Sequence, residues 1–589
     1  MDSSWVQTYD PLGSAWLSPL VSGVPILLLL GLLVVGVSAP VAALAGLASA
    51  LVVAIAAYHM PASMALASAG HGACFGLLPI GWIVFSAVFL YHLTVRTGQF
   101  EVVKRSVAAI SPDRRMQALL IAFSFGTFLE GAAGFGTPVA ISAALLIGLG
   151  FRPLYAAGLA LIANTSPVAF GALGTPIITL AKVSGLDEMA LSQMAGRQLP
   201  LFSLVIPAWL VATMSGWKGV RGCWPAIAVC GGSFAAIQFV TANFHGPGLV
   251  DVLGGVGSLV ALTVFLRFWQ PKETWRFPEE NPLTVGADGP PLRAKQVMYA
   301  WVPWILLSLM VFLWGWPTWK AALNGQVESP ADNMSLPARA WYQLRSGVVT
   351  CEEGLREHLG FRTRMAFPVP RLHEQVYRTR PVVPVPEGSD RAAKAEEAVY
   401  EFNWLSTTGT GIFLAAVLSA VWLRISPGVF FRQFAETMFR VRWALFTIAC
   451  MLALAFTTKY SGADATLGLA FTHTGWLYPF FAPMLGWLGV ALTGSDTSAN
   501  ALFGSLQRIT AEQLHLNPIL IVASNSTGGV MGKMIDAQSI VVAAVATEQS
   551  GNEGQILRFV FFHSLVLAVL VGLLTLLQAY VFPWMIPGG

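Results

Sequence analysis

Long apolar runs joined by short polar loops fill most of this 589-residue chain. Runs near 18–37, 39–57, 74–95, 154–178, 199–216, 223–244, 248–268, 299–316, 404–425, 443–458 and 557–583 each approach the roughly 20 apolar residues that cross a hydrocarbon core, allowing for tilt. They predict membrane-spanning helices. Residues 116–150 and 465–550 break the pattern with Gly, Ser, Thr and Asp, and predict hairpins and broken helices. Broken backbone at membrane depth is tolerated only where protein or a water-filled cavity satisfies its N–H and C=O groups. The expected fold is an all-α polytopic membrane protein.

Composition sharpens this reading. Only 11% of residues are charged and 55% are hydrophobic, with a mean hydropathy of +0.65; a soluble domain carries about 25% charged residues. The formal charge of +4 is small for this length and gives no argument for a nucleic-acid partner. No Lys or Arg precedes the first apolar run, so a retained span is expected, not a cleaved signal peptide. Cys74, Cys223, Cys230 and Cys450 lie in or beside apolar runs, where a thiol acts as a small hydrophobe. Cys351 is alone in a polar loop. No CxxC or Cys/His spacing marks a metal site, and no metal or cofactor is expected.

Short basic loops give the orientation. Loop 96–115 carries Arg96, Lys104, Arg105, Arg114 and Arg115, loop 217–222 carries Lys218 and Arg221, and segment 424–442 carries Arg424, Arg432, Arg440 and Arg442. Placing all three in the cytoplasm fits the span count and leaves the N-terminus extracytoplasmic. The chain then divides into a first membrane half, 1–268, holding a hairpin and broken helix at 116–178. A Pro-rich cytoplasmic loop (269–298), a span (299–316) and an extracytoplasmic polar insertion (317–402) follow. The second half, 403–589, holds a hairpin and broken helix at 465–550. The insertion has eleven Lys plus Arg and eleven Asp plus Glu. Pro368, Pro370, Pro381, Pro384 and Pro386 favour extended structure there. It reads as a solvated surface cap, with a binding domain as the alternative.

An internal repeat links the interrupted regions. Asn164-Thr-Ser-Pro-Val-Ala-Phe-Gly171 and Asn525-Ser-Thr-Gly-Gly-Val-Met-Gly532 share an Asn, two hydroxyl residues and a closing Gly. Each follows an apolar run, and each is preceded by a small-residue stretch with one carboxylate, Glu130 or Asp496. By the span count 154–178 runs outward and 517–540 inward. That is an inverted repeat, the recurring plan of secondary transporters, whose discontinuous segments meet near the midplane.

These residues allow a specific chemistry. Half-helix N-termini offer free N–H groups and a positive dipole end to an anion. Asn164, Thr165 and Ser166, with Asn525, Ser526 and Thr527, add donors without charge; Gly131, Thr137, Thr497, Ser498 and Asn500 flank the two carboxylates. Such a site suits a small carboxylate bearing a hydroxyl. A carboxyl buried away from water resists ionisation, so Glu130 or Asp496 can carry a proton. Proton and anion together form a neutral load, the logic of symport. Blander roles stay open: Asn164 and Asn525 as partners of broken backbone, Glu130 and Asp496 as caps or packing groups. Lys533 reads as an interfacial anchor or as partner of a carboxylate or substrate. Arg197 reads as an anchor or as a fork for a carboxylate. Asp536 reads as a loop residue.

The blocks Phe128-Leu-Glu-Gly-Ala-Ala-Gly-Phe-Gly136 and Leu492-Thr-Gly-Ser-Asp-Thr-Ser-Ala-Asn-Ala-Leu-Phe503 resemble the lactate permease family of bacteria. So do Arg152-Pro-Leu-Tyr-Ala-Ala-Gly158, Gly196-Arg-Gln-Leu-Pro200, and Tyr9-Asp-Pro-Leu-Gly13 with Trp16-Leu-Ser18. The resemblance covers nearly the whole chain. It implies a multi-pass protein of the bacterial inner membrane that imports L-lactate, glycolate or related 2-hydroxy acids with protons, and is not an enzyme. It also implies two inverted repeats with re-entrant hairpins and elevator-type movement; a homodimer is compatible with it. The chain departs from the family pattern in the long charged segment 317–402. It departs again at Thr137, where Ala is expected, and at Lys459, where a neutral residue is expected. The nearest rival is a sodium-coupled carboxylate transporter, since unwound carbonyls and hydroxyls can also hold Na⁺. A membrane-embedded enzyme is the remote rival: Asp496 has no second aspartate in a matching context, and no HExxH occurs.

Overall fold

Glycine and proline, more than polarity, set where the helices of this chain break. The computed structural model describes residues 4–134, 136–278, 293–326, 342–346, 348–350, 362–383, 394–472 and 474–588. The first half contains α1 (Leu17–Val35), α2 (Ala39–Val52), α3 (Ala62–Phe75), α4 (Trp82–Arg96), α5 (Gln99–Ile110) and α6 (Arg114–Ala118). It continues with α7 (Gly126–Ala133), α8 (Thr137–Gly148), α9 (Pro153–Ala163), α10 (Thr175–Ser184), α11 (Glu188–Phe244) and α12 (Val250–Phe268). Next come α13 (Ala294–Gly315), α14 (Pro317–Leu323), α15 (Thr408–Trp422) and α16 (Pro427–Ser461). The last are α17 (Ala463–Thr472), α18 (Tyr478–Thr493), α19 (Asp496–Gln513), α20 (Pro518–Gly532), α21 (Ala537–Ala546) and α22 (Glu553–Tyr580). Among the described residues, nine helical runs are long and apolar enough to cross a membrane. The chain is an all-α polytopic membrane protein.

The basic stretches expected as loops are largely helical. Lys218 and Arg221 lie inside α11, which leaves helical geometry only at Gly216 (φ 64°) and Cys223 (φ −131°). Arg432, Arg440 and Arg442 lie in α16, and α5 occupies much of 96–115. Lys and Arg are good helix formers, and their long stems carry the charge to water. A polar stretch therefore did not mean a broken helix here.

Two units share one element order. In the first, α8 folds back on α7 and the π-helical turn Leu119–Phe125, and α9 is followed by a break and α10. In the second, α19 folds back on α18, and α20 is followed by a break and α21. Their packing is reciprocal. Helix α10 lies on α19, while α21 lies on α8; α9 lies on α22, while α20 lies on α11. Polar bonds fix the first of these pairs. Ser505 Oγ donates to the Val183 carbonyl at 2.8 Å and Arg508 Nη1 to the Ser184 carbonyl at 2.6 Å, satisfying carbonyls that the end of α10 leaves open.

The run Pro518–Ala546 is buried over its whole apolar window, so α20 meets protein on every side. It approaches α18 closely because both helices carry glycine at the contact, as membrane helices that pack backbone to backbone do. A Cβ on Gly528 would collide with the Pro483 backbone, and one on Gly486 with the Asn525 carbonyl. We expect Gly528→Ala to lower stability by about 1–3 kcal/mol through overpacking. Thermal unfolding in detergent checks this; an unchanged unfolding temperature would show that the helices part easily.

The described parts of the insertion near its prolines form short strands, whereas 317–323 is the helix α14 and residues 342–346 and 348–350 are helical as well. Strand β2 (Met365–Pro368) pairs antiparallel with β5 (Val399–Phe402). Strand β3 (Val376–Arg378) runs parallel to β1 (Trp5–Val6) and antiparallel to β4 (Lys394–Ala395). Gln7 ties this cap to the end of α16, its Nε2 donating to the Lys459 and Tyr460 carbonyls at 3.1 and 2.9 Å. Pro384 and Pro386, and residues 279–292 of the Pro-rich loop 269–298, lie outside the described residues.

Candidate functional site

Four helix breaks come together in pairs. Helix α7 ends at Gly134, whose φ of 61° and ψ of −154° suit a residue without Cβ. Helix α9 ends at Ala163, because Pro167 has no N–H to continue it and disfavours helix at Ser166; the chain turns until α10 starts. A Cβ on Gly134 would lie 3.3 Å from the Ala172 side chain, so these two breaks touch. In the second unit Gly494 (φ 69°) ends α18, and Ser495 caps α19 by accepting from the Ser498 N–H at 3.3 Å. Asp536 caps α21, accepting from the Ser539 N–H at 2.7 Å. A Cβ on Gly494 would lie 3.2 Å from Asp536 Oδ1, so these breaks touch as well.

Between the two pairs lies a cavity of about 40 Å³, room for roughly three waters. Glu130, Gly134, Gly171 and the start of α10 (Thr175, Pro176) form one wall. Gly494, Ser495, Asp496, Thr497 and Lys533 form the other. The N-terminal ends of α10 and α19 therefore both border it. Lys533 is buried: its Nζ donates to the Gly494 carbonyl at 2.6 Å and pairs with Asp536 Oδ2 at 3.1 Å. Asp496 Oδ2 accepts from Ser526 Oγ at 2.5 Å and from Asn500 Nδ2 at 3.2 Å, while its Oδ1 has no partner. Asn164 lies beside Glu130, yet neither its two amide atoms nor Glu130 Oε2 has a hydrogen-bond partner of good geometry. Buried polar groups left open in this way mark a place where water or a ligand belongs.

The sequence-predicted residues separate by position. Glu130, Asp496, Thr497 and Lys533 line the cavity. Asn164 and Ser166 sit at the break behind it, with the Ser166 hydroxyl also unpartnered, as is the Thr137 hydroxyl at the start of α8. Asn525 lies in the middle of α20, not in a turn, so it does not correspond to Asn164. It is already bonded, donating to Asn500 Oδ1 at 2.8 Å and accepting from Gln507 Nε2 at 3.1 Å. Thr527 donates to Gln198 Oε1 at 2.7 Å, and Thr165 to the Ile162 carbonyl at 2.7 Å. Arg197 reaches Asn243 and the Met585 carbonyl, away from the cavity. Gly131 packs on α12, where a Cβ would meet Asp251 and Val252. Ser498 is exposed on the far side of the α19 terminus.

Two residues emerge only from the structure. Asp536, read as a loop residue, is a fully buried helix cap and the partner of Lys533. Asp251 lies in the first turn of α12, 2% exposed, with both carboxyl oxygens unpartnered. Its signal in the sequence is a lone acid inside the apolar run 248–268.

The chain matches known proteins along its length. The family model described as L-lactate permease covers residues 18–582. The L-lactate permease of Bacillus subtilis (strain 168) is 46% identical over 592 residues, 99% of this chain and 100% of that protein. The L-lactate permease of Salmonella typhimurium (strain LT2) is 45% identical over 586 residues, again 99% and 100%. The glycolate permease GlcA of Escherichia coli (strain K12) is 45% identical over 599 residues, 99% of each.

Proposed function

Because this chain belongs to the L-lactate permease family, we propose that it carries L-lactate and related small 2-hydroxy monocarboxylates, glycolate among them, together with protons. The observation that carries the reading is the central cavity. It sets one ammonium, Lys533, and two carboxyls, Glu130 and Asp496, between the N-terminal ends of α10 and α19. The ammonium and the helix ends suit a carboxylate. Charge balance then supports the coupling. An anion entering beside two ionised carboxyls in a water-poor site is repelled by both. It binds well when one of them holds a proton, so anion and proton enter together. Unpartnered donors at Asn164, Ser166 and Thr137 are available to read the hydroxyl.

The reciprocal packing of the two units supports reading them as inverted repeats that move as one body, in an elevator-type cycle against the remaining helices. The orientation with cytoplasmic basic segments and an outward N-terminus rests on the positive-inside rule. The protein is then an importer of the bacterial inner membrane.

The test is counterflow of labelled L-lactate in proteoliposomes, followed by uptake driven by an imposed pH gradient in sodium-free buffer. Glycolate should compete better than acetate by about five- to hundredfold, because a site left with unpaired buried groups loses roughly 1–3 kcal/mol. Equal competition by acetate removes the hydroxyl-reading part. Failure to accumulate lactate without sodium removes the proton.

A further inference from the structure

A second cavity, of about 220 Å³, adjoins the central one. The two share Gly494, Ser495 and Thr497, so the capped start of α19 is the partition between them. The larger cavity lies toward Glu396, beside strand β4, through its lining residue Lys459, and Ser498 is exposed at it. Its wall is mostly apolar, with Phe75, Ile80, Leu452 and Phe456, and carries a few polar groups: Lys459, Asp464, Gln538 and the hydroxyls of Thr497 and Ser498. An apolar pocket with a few convergent polar groups is the usual form of a small-molecule site.

Lys459 is the cation of this cavity, and its charge is loosely held. Its side chain is 35% exposed, and its Nζ stands 3.8 Å from Glu396 Oε2, whereas the same Glu396 meets Arg378 Nε at 2.6 Å. On the inner side Lys459 lies within electrostatic range of Asp464. Asp464 is fully buried and both its carboxyl oxygens lack partners. The ammonium thus stands between two carboxyls, in a long ion pair with Glu396 and over the Tyr460 ring at 5.1 Å from its centroid. An anion of the right size competes with both for Lys459, while the aromatic and aliphatic wall receives its apolar end.

We propose that this outer cavity is a second binding site for the same class of small 2-hydroxy monocarboxylate, held at Lys459 and filled before the central site. The identity of the ligand rests on the functional reading above. Lys459 is 35% exposed and Lys533 only 4%; water therefore screens the outer ammonium more and makes the outer site the weaker of the two, which suits a station from which the substrate moves on past the α19 terminus.

Equilibrium binding of labelled L-lactate to the purified full-length protein tests this. Wild type should bind at two sites. Lys459→Gln should weaken the outer one by about ten- to hundredfold, the value of a charge-assisted bond, leaving the tight site intact; Lys459→Arg should restore it. Glu396→Gln removes a competitor and should strengthen the outer site by about two- to fivefold, a gain that a merely structural ion pair would not give. Lys533→Met/Asp536→Asn should weaken the tight site by about ten- to hundredfold and spare the weak one. A single site in wild type, unaltered by Lys459→Gln, overturns the outer site and leaves the central one standing. No lactate binding by folded wild type overturns the functional reading and the outer site with it.

Discussion

Glu130→Gln is expected to abolish accumulation of lactate against its gradient while sparing lactate–lactate exchange. Each pH unit across the membrane supports about tenfold accumulation for one proton per substrate; in the variant the ratio should fall to about one. Glu130 is 4% exposed, lines the central cavity, and has an oxygen without a partner. Gln copies the protonated carboxyl in shape and charge and fixes it. Exchange requires only that the loaded carrier return loaded, so it survives; net uptake requires the proton to leave, so it fails. Asp496→Asn is the paired control. Asp496 already takes bonds from Ser526 and Asn500, so a smaller loss of coupling is expected there. Exchange and gradient-driven uptake in proteoliposomes at two pH values separate the cases. Should Glu130→Gln concentrate lactate as wild type does, the proton travels elsewhere, and Asp251 behind Gly131 becomes the next acid to replace.

The second large effect is expected at Lys533. Lys533→Met alone leaves Asp536 charged and unpaired in a fully buried position, and breaking a buried pair in this way costs about 3–5 kcal/mol. Much of that variant should misfold. The double change Lys533→Met/Asp536→Asn removes both charges and keeps a good cap for α21, since Asn caps helices as well as Asp. It should restore the unfolding temperature yet lower affinity at the tight lactate site by about ten- to hundredfold, the loss of one charge-assisted bond. Thermal unfolding and equilibrium binding, measured on both variants, decide it. A folded double variant with normal tight binding would make Lys533 a purely structural strut between Gly494 and Asp536.

Sequence pattern located the two interrupted regions and the carboxylates Glu130 and Asp496, because Gly, Ser and lone acids in apolar runs are local signals. It mispaired Asn164 with Asn525. The two octapeptides spell alike, but Pro167 forbids helix in the first and the second has no proline, so Gly528 and Gly529 pass as ordinary positions of α20. The structural counterpart of the turn after α9 is Lys533–Asp536, whose sequence gives no likeness. Asn525, Asn500, Gln507 and Asp496 form a bonded chain of polar side chains from two helices. Residue type alone did not distinguish such internal bonding from open ligand groups. Lys459 stands out in the sequence only as a charge where the family pattern has a neutral residue. That a cavity joins it to the α19 terminus depends on contacts between segments far apart in the chain.

The reciprocal packing of the two units has a consequence for how the protein is made. Asn500 donates to the Pro176 carbonyl across 324 residues of chain, and Ser505 to Val183 across 322. At synthesis rates of about 5–20 residues per second, 324 residues take roughly 16–65 seconds. For that interval the first unit sits in the bilayer with the end of α10 unsatisfied and Asn164 and Glu130 facing a partner not yet translated. Slowing translation between residues 185 and 494 prolongs this exposure, so rare codons placed there should lower the yield of folded protein more than the same codons placed after 546.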